Sequence, residues 1–410
     1  MYTYSVMKQY IHRAIEKELL AAAKEFPVLV LTGPRQTGKS TILQQIFPTH
    51  YYATFDDPLT SKLANDDPKL FLSRADKMIV DEIQYVPGLL PFIKMAVDND
   101  RRNAGHFILT GSQYFPLMGG ISESLAGRAA LYELLPFSSE EIPRKELGDG
   151  MKQTFSAMFQ GFFPEIVAHG ANRDRFYASY LRTYLERDIR QITSVHDLKV
   201  FQNFLELLAA RAGNVLNVHE LSKEAAVSFT SARRWISILE STRLIYLLRP
   251  YAKNISKRVI KSPKLYFTDT GLLAYLLRYP DAITMSTGPQ AGAFFENLVL
   301  AEILKLKYNH NLNFEPYFYR DSNHNEIDFV LDYGVAVKMF EIKCTSTLSE
   351  KHFAPLIKLA KAFKNANGYL VSFVRERAVI AKNIESISWT SVKDVAADYR
   401  KKQAQFGHKR

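Results

Sequence analysis

Nine consecutive residues near the N-terminus, Gly33 to Thr41, have the residue types and the spacing of a phosphate-binding loop. Glycines let the main chain approach a phosphate, and the N–H groups of such a loop and of the following helix converge on it. Lys39 would interact with the β and γ phosphates, Ser40 would bind Mg²⁺ and Thr41 would reach the α phosphate. We therefore expect ATP with Mg²⁺ as the ligand. The residues expected to bind the nucleotide are Gly33, Pro34, Arg35, Gln36, Thr37, Gly38, Lys39, Ser40 and Thr41.

Two adjacent acids, Asp81 and Glu82, follow the apolar segment Met78 to Val80. Asp81 would hold Mg²⁺ directly or through water. Glu82 would orient and activate the attacking water as a general base. Two acids after an apolar segment are common by themselves, and it is their combination with the loop that predicts ATP hydrolysis.

Two further residues are candidates for a catalytic role beside Glu82 and Lys39. Ser112 follows the apolar segment Phe107 to Thr110, where a side chain could sense the γ phosphate or hold the water; the alternative is an ordinary turn. Arg128 follows a glycine and could stabilise transition-state charge in a neighbouring subunit, which implies a homo-oligomer. The alternative for Arg128 is a surface salt bridge.

Arg233 and Arg234 lie on a predicted helix from Thr230 to Glu240. A short helix precedes it at Val218 to Ala226, and two strands of a predicted hairpin follow it. This order is similar to a winged helix, whose second helix enters a DNA groove. The hairpin strands are Leu244 to Leu248 and Leu265 to Thr268, and the apolar helix face comprises Ala232, Trp235, Ile236 and Leu239. DNA contact is one interpretation of the arginines, and packing against another domain is the alternative.

The predicted nucleotide site requires a scaffold of strands that alternate with helices. Five apolar segments read as strands, and such alternation favours a mostly parallel sheet with helices on both faces. These segments are Val28 to Leu31, Tyr51 to Phe55, Met78 to Val80, Phe107 to Thr110 and Ala130 to Leu135. The expected domains are residues 1–147 around this sheet, a helical section at 148–270, a mixed α/β section at 271–395 and a basic tail at 396–410.

The distribution of charge predicts a polyanionic partner. The formal net charge is +11, and residues 173–264 contain 17 Lys and Arg against 8 Asp and Glu. A basic middle section is typical of nucleic-acid binding, with DNA favoured over RNA by the winged-helix pattern. A solvated basic surface that serves only solubility is the alternative.

The cysteine content and the apolar segments bear on the compartment. Cys344 is the only cysteine, which excludes an internal disulfide framework and is typical of a reducing environment. No apolar run approaches the roughly 20 residues that a membrane span needs, and the first 20 residues lack the pattern of a secretory signal. The expected location is the cytoplasm.

The motifs together resemble one family, the AAA-type ATPases of bacteria and archaea that carry a poorly characterised C-terminal domain. The resemblance rests on five segments: Gly33 to Thr41, Asp81 to Gln84, Leu109 to Ser112, Leu125 to Arg128 and Gly161 to Glu165. It implies an α/β fold with an AAA+ P-loop NTPase domain, a winged helix, and a C-terminal α/β domain similar to PD-(D/E)XK nucleases.

The nuclease resemblance implies a second site. Glu341 and Lys343 stand two apart on a predicted strand and share a face, as do Glu326 and Asp328 on the preceding strand, and Glu296 comes from a predicted helix. The implied site residues are Glu296, Asp328, Glu341 and Lys343. Carboxylates beside a lysine are what a Mg²⁺-dependent phosphodiesterase uses. Alternating charged and apolar residues are also typical of any half-exposed strand.

Three functions remain open at this stage. The first is an AAA+ switch or motor that hydrolyses ATP and acts with a nucleic-acid partner. The second is a winged-helix DNA-binding module whose slow ATPase controls assembly. The third is an ATP-regulated, Mg²⁺-dependent endonuclease.

Overall fold

The computed structural model describes residues 10–100, 103–112, 124–143, 147–148, 150–184, 198–251, 262–321, 325–334, 336–360, 363 and 365–398. Residues 252–261, which connect the two strands of the predicted hairpin, and residues 399–410 of the predicted tail lie outside this part of the chain. The chain divides into two compact units. Unit 1 comprises Met1–Phe137, Ser241–Arg243 and Tyr308–Asn311, and unit 2 comprises Ser138–Glu240, Leu244–Lys307 and Leu312–Arg410.

Unit 1 is built on a five-stranded sheet in the order β2-β3-β4-β1-β5, with every neighbouring pair parallel. The three central strands are fully buried and read as continuous apolar runs in the sequence, whereas the two outer strands are partly exposed. The strands are β1 Val28–Thr32, β2 Tyr51–Thr54, β3 Met78–Asp81, β4 Phe107–Gly111 and β5 Ala129–Glu133. All five predicted strands are present, and the predicted parallel α/β sheet is confirmed.

Helices cover both faces of this sheet. They are α1 Glu16–Ala22, α2 Lys39–Ile46, α3 Pro58–Asp66, α4 Pro68–Leu72 and α5 Leu90–Asn99. One core contains Val28 and Val30 of β1 with residues of α3 to α5, and the other contains Leu29 and Leu31 of β1 with residues of α1 and α2. Because alternate residues of β1 enter opposite cores, the strand that precedes the predicted phosphate-binding loop is fully buried.

Unit 2 contains ten named helices in the described residues and an eight-stranded mixed sheet in the order β12-β13-β11-β10-β9-β8-β6-β7. Its helices are α6 Met151–Gln160, α7 Pro164–Val167, α8 Arg173–Tyr184, α9 Leu198–Ala209, α10 Val218–Glu224, α11 Phe229–Ser241, α12 Thr270–Leu276, α13 Ala282–Thr287, α14 Ala291–Asn309 and α15 Glu350–Ala360. Its strands are β6 Ile245–Pro250, β7 Lys264–Phe267, β8 Glu315–Arg320, β9 Glu326–Asp332, β10 Val337–Ile342, β11 Ala366–Ser372, β12 Ala378–Ala381 and β13 Ile384–Ser388.

The C-terminal part of unit 2 follows the order α14-β8-β9-β10-α15-β11. Strand β9 is antiparallel to β8 and β10, and β10 is parallel to β11. The predicted helix that carries Glu296 corresponds to α14, and the predicted strands that carry Asp328 and Glu341 correspond to β9 and β10, whereas β11, β12 and β13 were not predicted. This arrangement places β9 and β10, which carry the predicted acids, next to each other in the middle of the sheet.

The predicted hairpin of the middle section forms, but it belongs to the larger sheet. Strands β6 and β7 are antiparallel, with Ile245 opposite Phe267. Strand β6 also pairs in parallel with β8 through Arg249 and Pro250. The sections predicted as separate domains at 148–270 and 271–395 therefore share one sheet and lie in one compact unit. Unit 1 gives way to unit 2 at Phe137–Ser138, ten residues before the predicted boundary at 147.

No helix in the described part of the chain is both long enough and apolar enough to cross a membrane.

Candidate functional site

The loop between β1 and α2 has a backbone that glycine permits. Gly33 and Gly38 have φ values of +140° and +89°, and Gln36 also adopts a positive φ of +58°. A Cβ atom on Gly33 would lie 2.2 Å from the carbonyl oxygen of Leu134, so only glycine fits there. The hydroxyl of Thr37 donates a hydrogen bond to the carbonyl of Pro34 at 3.0 Å and closes the loop. The loop is therefore a compact turn that leads directly into the N-terminus of α2.

Lys39 is the first residue of α2, and its side chain is buried at 6% exposure. Its ammonium Nζ donates to the carbonyl oxygens of Gly33 at 3.0 Å and Pro34 at 2.8 Å. The Lys39 side chain therefore folds back over the loop and holds its positive charge beside the loop backbone. Thr41, the last residue predicted to bind nucleotide, is exposed on the first turn of α2.

Arg13, for which the sequence predicted no role, forms hydrogen bonds with the backbone of the loop. Its Nη1 donates to the carbonyl of Thr37 at 2.8 Å, and its Nη2 donates to the carbonyl of Leu135 at 2.7 Å. The guanidinium is 5% exposed and lies 4.5 Å from the ring centroid of Phe137. One buried side chain thus ties the loop to the chain that leaves β5. Its sequence signal is weak, because an arginine before a helix is common.

Asp81, at the end of β3, is surrounded by hydroxyl groups from three elements. Ser40 Oγ donates to Asp81 Oδ2 at 2.9 Å, and the Tyr52 hydroxyl donates to the same oxygen at 2.7 Å. Thr110 Oγ1 donates to Asp81 Oδ1. Burial, followed by the neighbouring Asp81, raises the pKa of Tyr52, so its hydroxyl remains a donor. Adjacent carboxylate and hydroxyl oxygens are the donors that Mg²⁺ prefers, so Ser40 and Asp81 fit that ion.

Glu82 adopts a left-handed backbone conformation at φ +57°, ψ +46°, immediately after β3. Its backbone N–H donates to Thr110 Oγ1 at 3.1 Å. Its Oε2 accepts hydrogen bonds from Ser112 Oγ at 3.1 Å and from Gln84 Nε2. The sequence-predicted Ser112 therefore contacts the sequence-predicted general base, and Gln84 is a further contact that was not predicted. These hydrogen bonds hold the carboxylate in one orientation.

Arg128 forms a two-point ion pair with Asp98. Its Nε and Nη2 lie 2.8 and 3.0 Å from the two carboxylate oxygens, and its Nη1 donates to the carbonyl of Ala126 at 3.0 Å. This is the surface salt bridge that the sequence analysis gave as one alternative. The catalytic role across a subunit boundary stays a prediction.

Helix α11 presents the predicted arginines outward. Arg233 and Arg234 are exposed, whereas Trp235 is 7% exposed. The Trp235 ring packs edge-on against Phe201 and Phe204 of α9 at centroid distances of 5.0 and 5.1 Å. The predicted apolar face of α11 is the buried one, and Trp235 is a core residue.

In unit 2, the sequence-predicted acids come together around a lysine that was not predicted. We call Glu296, Glu326, Asp328 and Glu341 the acidic cluster. Lys264 of β7 places its Nζ 2.5 Å from Glu326 Oε1, 3.3 Å from Glu296 Oε1 and 3.8 Å from Asp328 Oδ1. Burial alone would lower the pKa of Lys264, but the carboxylates of Glu296, Asp328 and Glu326 raise it above its usual value. The lysine is therefore charged.

The other end of the acidic cluster contains Glu341 and Lys343. Lys343 Nζ donates to Glu341 Oε1 at 2.6 Å, and the backbone N–H of Ile342 donates to Asp328 Oδ2 at 2.8 Å. Burial and the nearby Asp328 raise the pKa of Glu296 to about 7 and that of Glu341 to about 8. Within the described part of the chain, Glu341 Oε2 is a buried oxygen without a hydrogen-bond partner.

The acidic cluster does not have the arrangement of a metal site. In the ranges that the structure describes, no group of three or more His, Cys, Asp and Glu side chains is placed to hold a metal ion. The positive charge among these carboxylates comes from Lys264 instead. Its signal in the sequence is a single lysine before the apolar residues Leu265 and Phe267, but the pattern does not reveal its partners.

Three family models match the chain. An AAA domain matches residues 25–143, a domain of unknown function (DUF8612) matches residues 151–282, and a domain of unknown function (DUF4143) matches residues 291–392. The AAA match covers the whole sheet of unit 1, and the DUF4143 match covers α14 through β13.

Two relatives match most of the chain in sequence, and several solved structures are similar to it at low identity. The chain is 33% identical over 337 residues to Uncharacterized protein Rv2008c of Mycobacterium tuberculosis, covering 81% of this chain and 73% of the relative. Uncharacterized protein Mb2031c of Mycobacterium bovis matches to the same extent. Among solved structures, the Walker-type ATPase PABY2304 of Pyrococcus abyssi is similar at 14% identity and a TM-score of 0.42, covering 66% of this chain and 97% of that chain. A DNA replication initiation factor is similar at 15% identity and a TM-score of 0.26, covering 71% of this chain and 91% of that one.

Proposed function

The chain belongs to the family of AAA-type P-loop ATPases whose C-terminal domain has no known function, and we propose that it hydrolyses ATP at the end of β1 and β3 in unit 1. Residues 33–41 would bind the nucleotide. Ser40 and Asp81 would bind Mg²⁺, and Glu82 would act as general base. Both relatives are named only as uncharacterized proteins, so they assign no reaction to this chain.

The observation that carries this proposal is the 2.9 Å hydrogen bond between Ser40 Oγ and Asp81 Oδ2. It joins the first turn of the helix after the phosphate-binding loop to the acid at the end of β3. These two positions are 41 residues apart in the sequence. This contact supports the proposal, because it brings the proposed phosphate-binding residues next to the carboxylate at the carboxyl ends of parallel strands, where ligands of such folds bind.

Each side chain has a role that its contacts support. Lys39 would transfer its hydrogen bonds from the carbonyls of Gly33 and Pro34 to phosphate oxygens. Glu82, oriented by Ser112 and Gln84, would accept a proton from the attacking water. Bound Mg²⁺ would neutralise charge on the phosphates. Arg13 would keep the backbone of Thr37 in place and so acts as a positioning residue.

ATP turnover of the full chain with Mg²⁺ tests this proposal. We expect Lys39→Ala to abolish turnover, because it removes the charge that binds the phosphates, and Glu82→Gln to lower turnover strongly while ATP still binds. Lys24→Ala is the matched control, since Lys24 is exposed and lies outside the loop. Absence of turnover in the parent protein, with ATP binding intact, would reduce the site to a nucleotide-binding switch.

We infer a nucleic-acid partner, with DNA favoured over RNA, from the basic middle section and from the exposed Arg233 and Arg234 on α11. The expected observation is salt-dependent binding of duplex DNA that also stimulates ATP turnover. Arg233→Gln and Arg234→Gln should each weaken binding and lower the salt slope by about one, if each side chain contacts a phosphate. The exposed Arg375→Gln is the control. Unchanged binding in both variants would exclude α11 as the contact.

We also propose that ATP hydrolysis occurs between subunits of a homo-oligomer, with Arg128 contributed by the neighbouring subunit. This requires Arg128 to leave Asp98, a partly exposed ion pair of the kind that contributes little to stability. Mixing two inactive variants, Arg128→Ala and Glu82→Gln, should restore part of the activity, because some mixed sites then contain both intact residues. A mixture that stays inactive, although the subunits are shown to exchange, would contradict the proposal.

A further inference from the structure

We propose that the ammonium group of Lys264 is the resident cation of the acidic cluster, so that the nuclease-like site of unit 2 takes no divalent metal ion and does not cleave nucleic acid. This goes beyond the ATPase function, because it concerns a different site in a different unit. It also decides between two readings of the C-terminal domain, a nuclease and a domain that retains the residue pattern without cutting.

The position of Lys264 is fixed by its backbone. The residue pairs with Leu248 of β6 on one side and forms an isolated bridge with Val215 on the other. The side chain is only 5% exposed, and its Nζ lies 5.7 Å from the ring centroid of Phe318. If a buried ammonium held in this way left its position, several buried carboxylates would lose the positive charge that compensates them.

The carboxylates that would bind a metal are the ones that surround Lys264. Lys264 Nζ is within 3.3 Å of Glu296 and 3.8 Å of Asp328. A divalent ion bound to these oxygens at about 2.1 to 2.5 Å would lie close to a charged ammonium in a buried environment, where repulsion is poorly screened. The Tyr266 hydroxyl also donates to Glu296 Oε1, which occupies a further lone pair. Metal and ammonium are therefore competing occupants of one position.

The unpartnered Glu341 Oε2 is the observation that most favours a metal. Glu341 is 6% exposed, and in the described residues this oxygen accepts no hydrogen bond. However, its other oxygen is bonded to Lys343, so two ammonium groups already accompany the cluster. A metal that used Glu341 would need a second ligand from Asp328, whose Oδ1 is the oxygen near Lys264. The unpartnered Glu341 oxygen is available to a metal ion if the proposal is wrong, so a metal-binding measurement tests the proposal.

Mn²⁺ binding to the nucleotide-free full chain tests the proposal directly, with the free Mn²⁺ signal measured by electron paramagnetic resonance. All proteins carry Asp81→Asn, so that the nucleotide site does not contribute. Lys264→Met removes the charge and keeps the length of the side chain, and Lys264→Arg is the matched control that keeps the charge. We expect Lys264→Met to bind Mn²⁺ at least about tenfold more tightly than the parent and Lys264→Arg, because repulsion is removed. Adding Asp328→Asn to Lys264→Met should abolish this gain.

Two outcomes would overturn the proposal. One is a saturable Mn²⁺ site in the parent that disappears with Asp328→Asn. The other is a folded Lys264→Met protein that gains no site, since the ammonium would then not be what excludes the metal.

If Lys264→Met does not fold, the parent protein still decides the question. The parent with intact Asp81 is incubated with supercoiled DNA and Mg²⁺ or Mn²⁺, beside its Asp328→Asn variant. Equal, background levels of nicking support the proposal. Nicking that depends on Asp328 overturns it.

Discussion

A buried lysine in unit 1 and a buried lysine in unit 2 differ in the groups that surround their ammonium ions. Lys39 in unit 1 donates to two neutral peptide carbonyls, those of Gly33 and Pro34. Lys264 in unit 2 lies among the carboxylates of Glu296, Glu326 and Asp328. Both sets of contacts are charge-assisted, but a buried carboxylate carries a full negative charge and attracts an ammonium more strongly than a neutral carbonyl does. A lysine on carbonyls is therefore available to an incoming phosphate, whereas a lysine among carboxylates is already neutralised.

The same contrast applies to the acids of the two units. Asp81 accepts hydrogen bonds from the hydroxyls of Ser40 and Tyr52, neutral groups that a Mg²⁺ ion can join or replace. In the acidic cluster, burial is the main cause of the raised pKa values of Glu296 and Glu341. The Asp81 site has neutral donors around its carboxylate, as expected of a site that binds a charged ligand. In the acidic cluster the charges of the protein's own side chains neutralise one another.

The largest expected effect separates the acid of unit 1 from those of unit 2. Glu82→Gln should lower kcat for ATP by about 10²- to 10⁴-fold, because a positioned general base contributes that much. Glu341→Gln, an equally conservative change in the acidic cluster, should leave kcat unchanged. Steady-state turnover and ATP affinity of both variants check this. A similar loss of turnover in both variants would mean that the two sites are coupled.

A smaller effect is expected at the residue that orients Glu82. Ser112→Ala removes a hydrogen bond to a carboxylate, which is worth about 1.5 to 3 kcal/mol and corresponds to roughly a 10- to 100-fold loss in kcat. ATP affinity should change little, because Ser112 contacts the base and Gln84. The exposed Ser73→Ala serves as control. Loss of affinity without loss of kcat would assign Ser112 to nucleotide binding instead.

Much of unit 1 could be predicted from sequence because its information is local. Val28 to Leu31 is a continuous apolar run, and the motif from Gly33 to Thr41 follows it without interruption. The central strands β1, β3 and β4 are buried on both faces and read as largely apolar, whereas the outer strands β2 and β5 are partly exposed. The partners of these residues were harder to find. Tyr52 contacts Asp81, 29 residues away in the sequence, and Arg13 contacts Leu135, 122 residues away. The local sequence pattern predicts neither contact.

Unit 2 could be predicted less well because its sheet mixes distant segments. Strand β6 pairs with β8, more than 60 residues later, through only two registered positions. Strand β12 has only four residues, and β13 contains Glu385, Ser386 and Ser388, so neither forms a long apolar run in the sequence. The acids of the cluster were found through a family resemblance, but Lys264 lies outside that pattern. Only the folded chain brings β7 to the acids of β9 and α14.

A moderate effect is expected at Arg13, the buried cation of unit 1 that contacts carbonyl oxygens. Arg13→Met should lower the free energy of unfolding by about 2 kcal/mol, because hydrogen bonds to a charged group are lost. It should also raise the KM for ATP, since the carbonyl of Thr37 loses its anchor. Arg13→Lys is the matched variant, and it should restore less than half of the loss, because lysine cannot make the same two-point contact. Unchanged KM in a destabilised Arg13→Met protein would restrict Arg13 to a structural role.

The last expected effect is a dependence of the stability of unit 2 on pH. The pKa values of Glu296 and Glu341 are about 7 and about 8 in the folded chain, above the ordinary value of 4.5. Between about pH 4.5 and about pH 8 the folded state therefore binds more protons than the unfolded state, and the free energy of unfolding should fall as pH rises through this window. Both tryptophans, Trp235 and Trp389, belong to unit 2, so their fluorescence during denaturant unfolding reports on this unit. Glu341→Gln should flatten the pH profile, and the exposed Glu376→Gln should not. A profile in the parent that is flat, or that rises with pH, would show that the acids of the cluster stay ionised and that Lys264 and Lys343 together neutralise them.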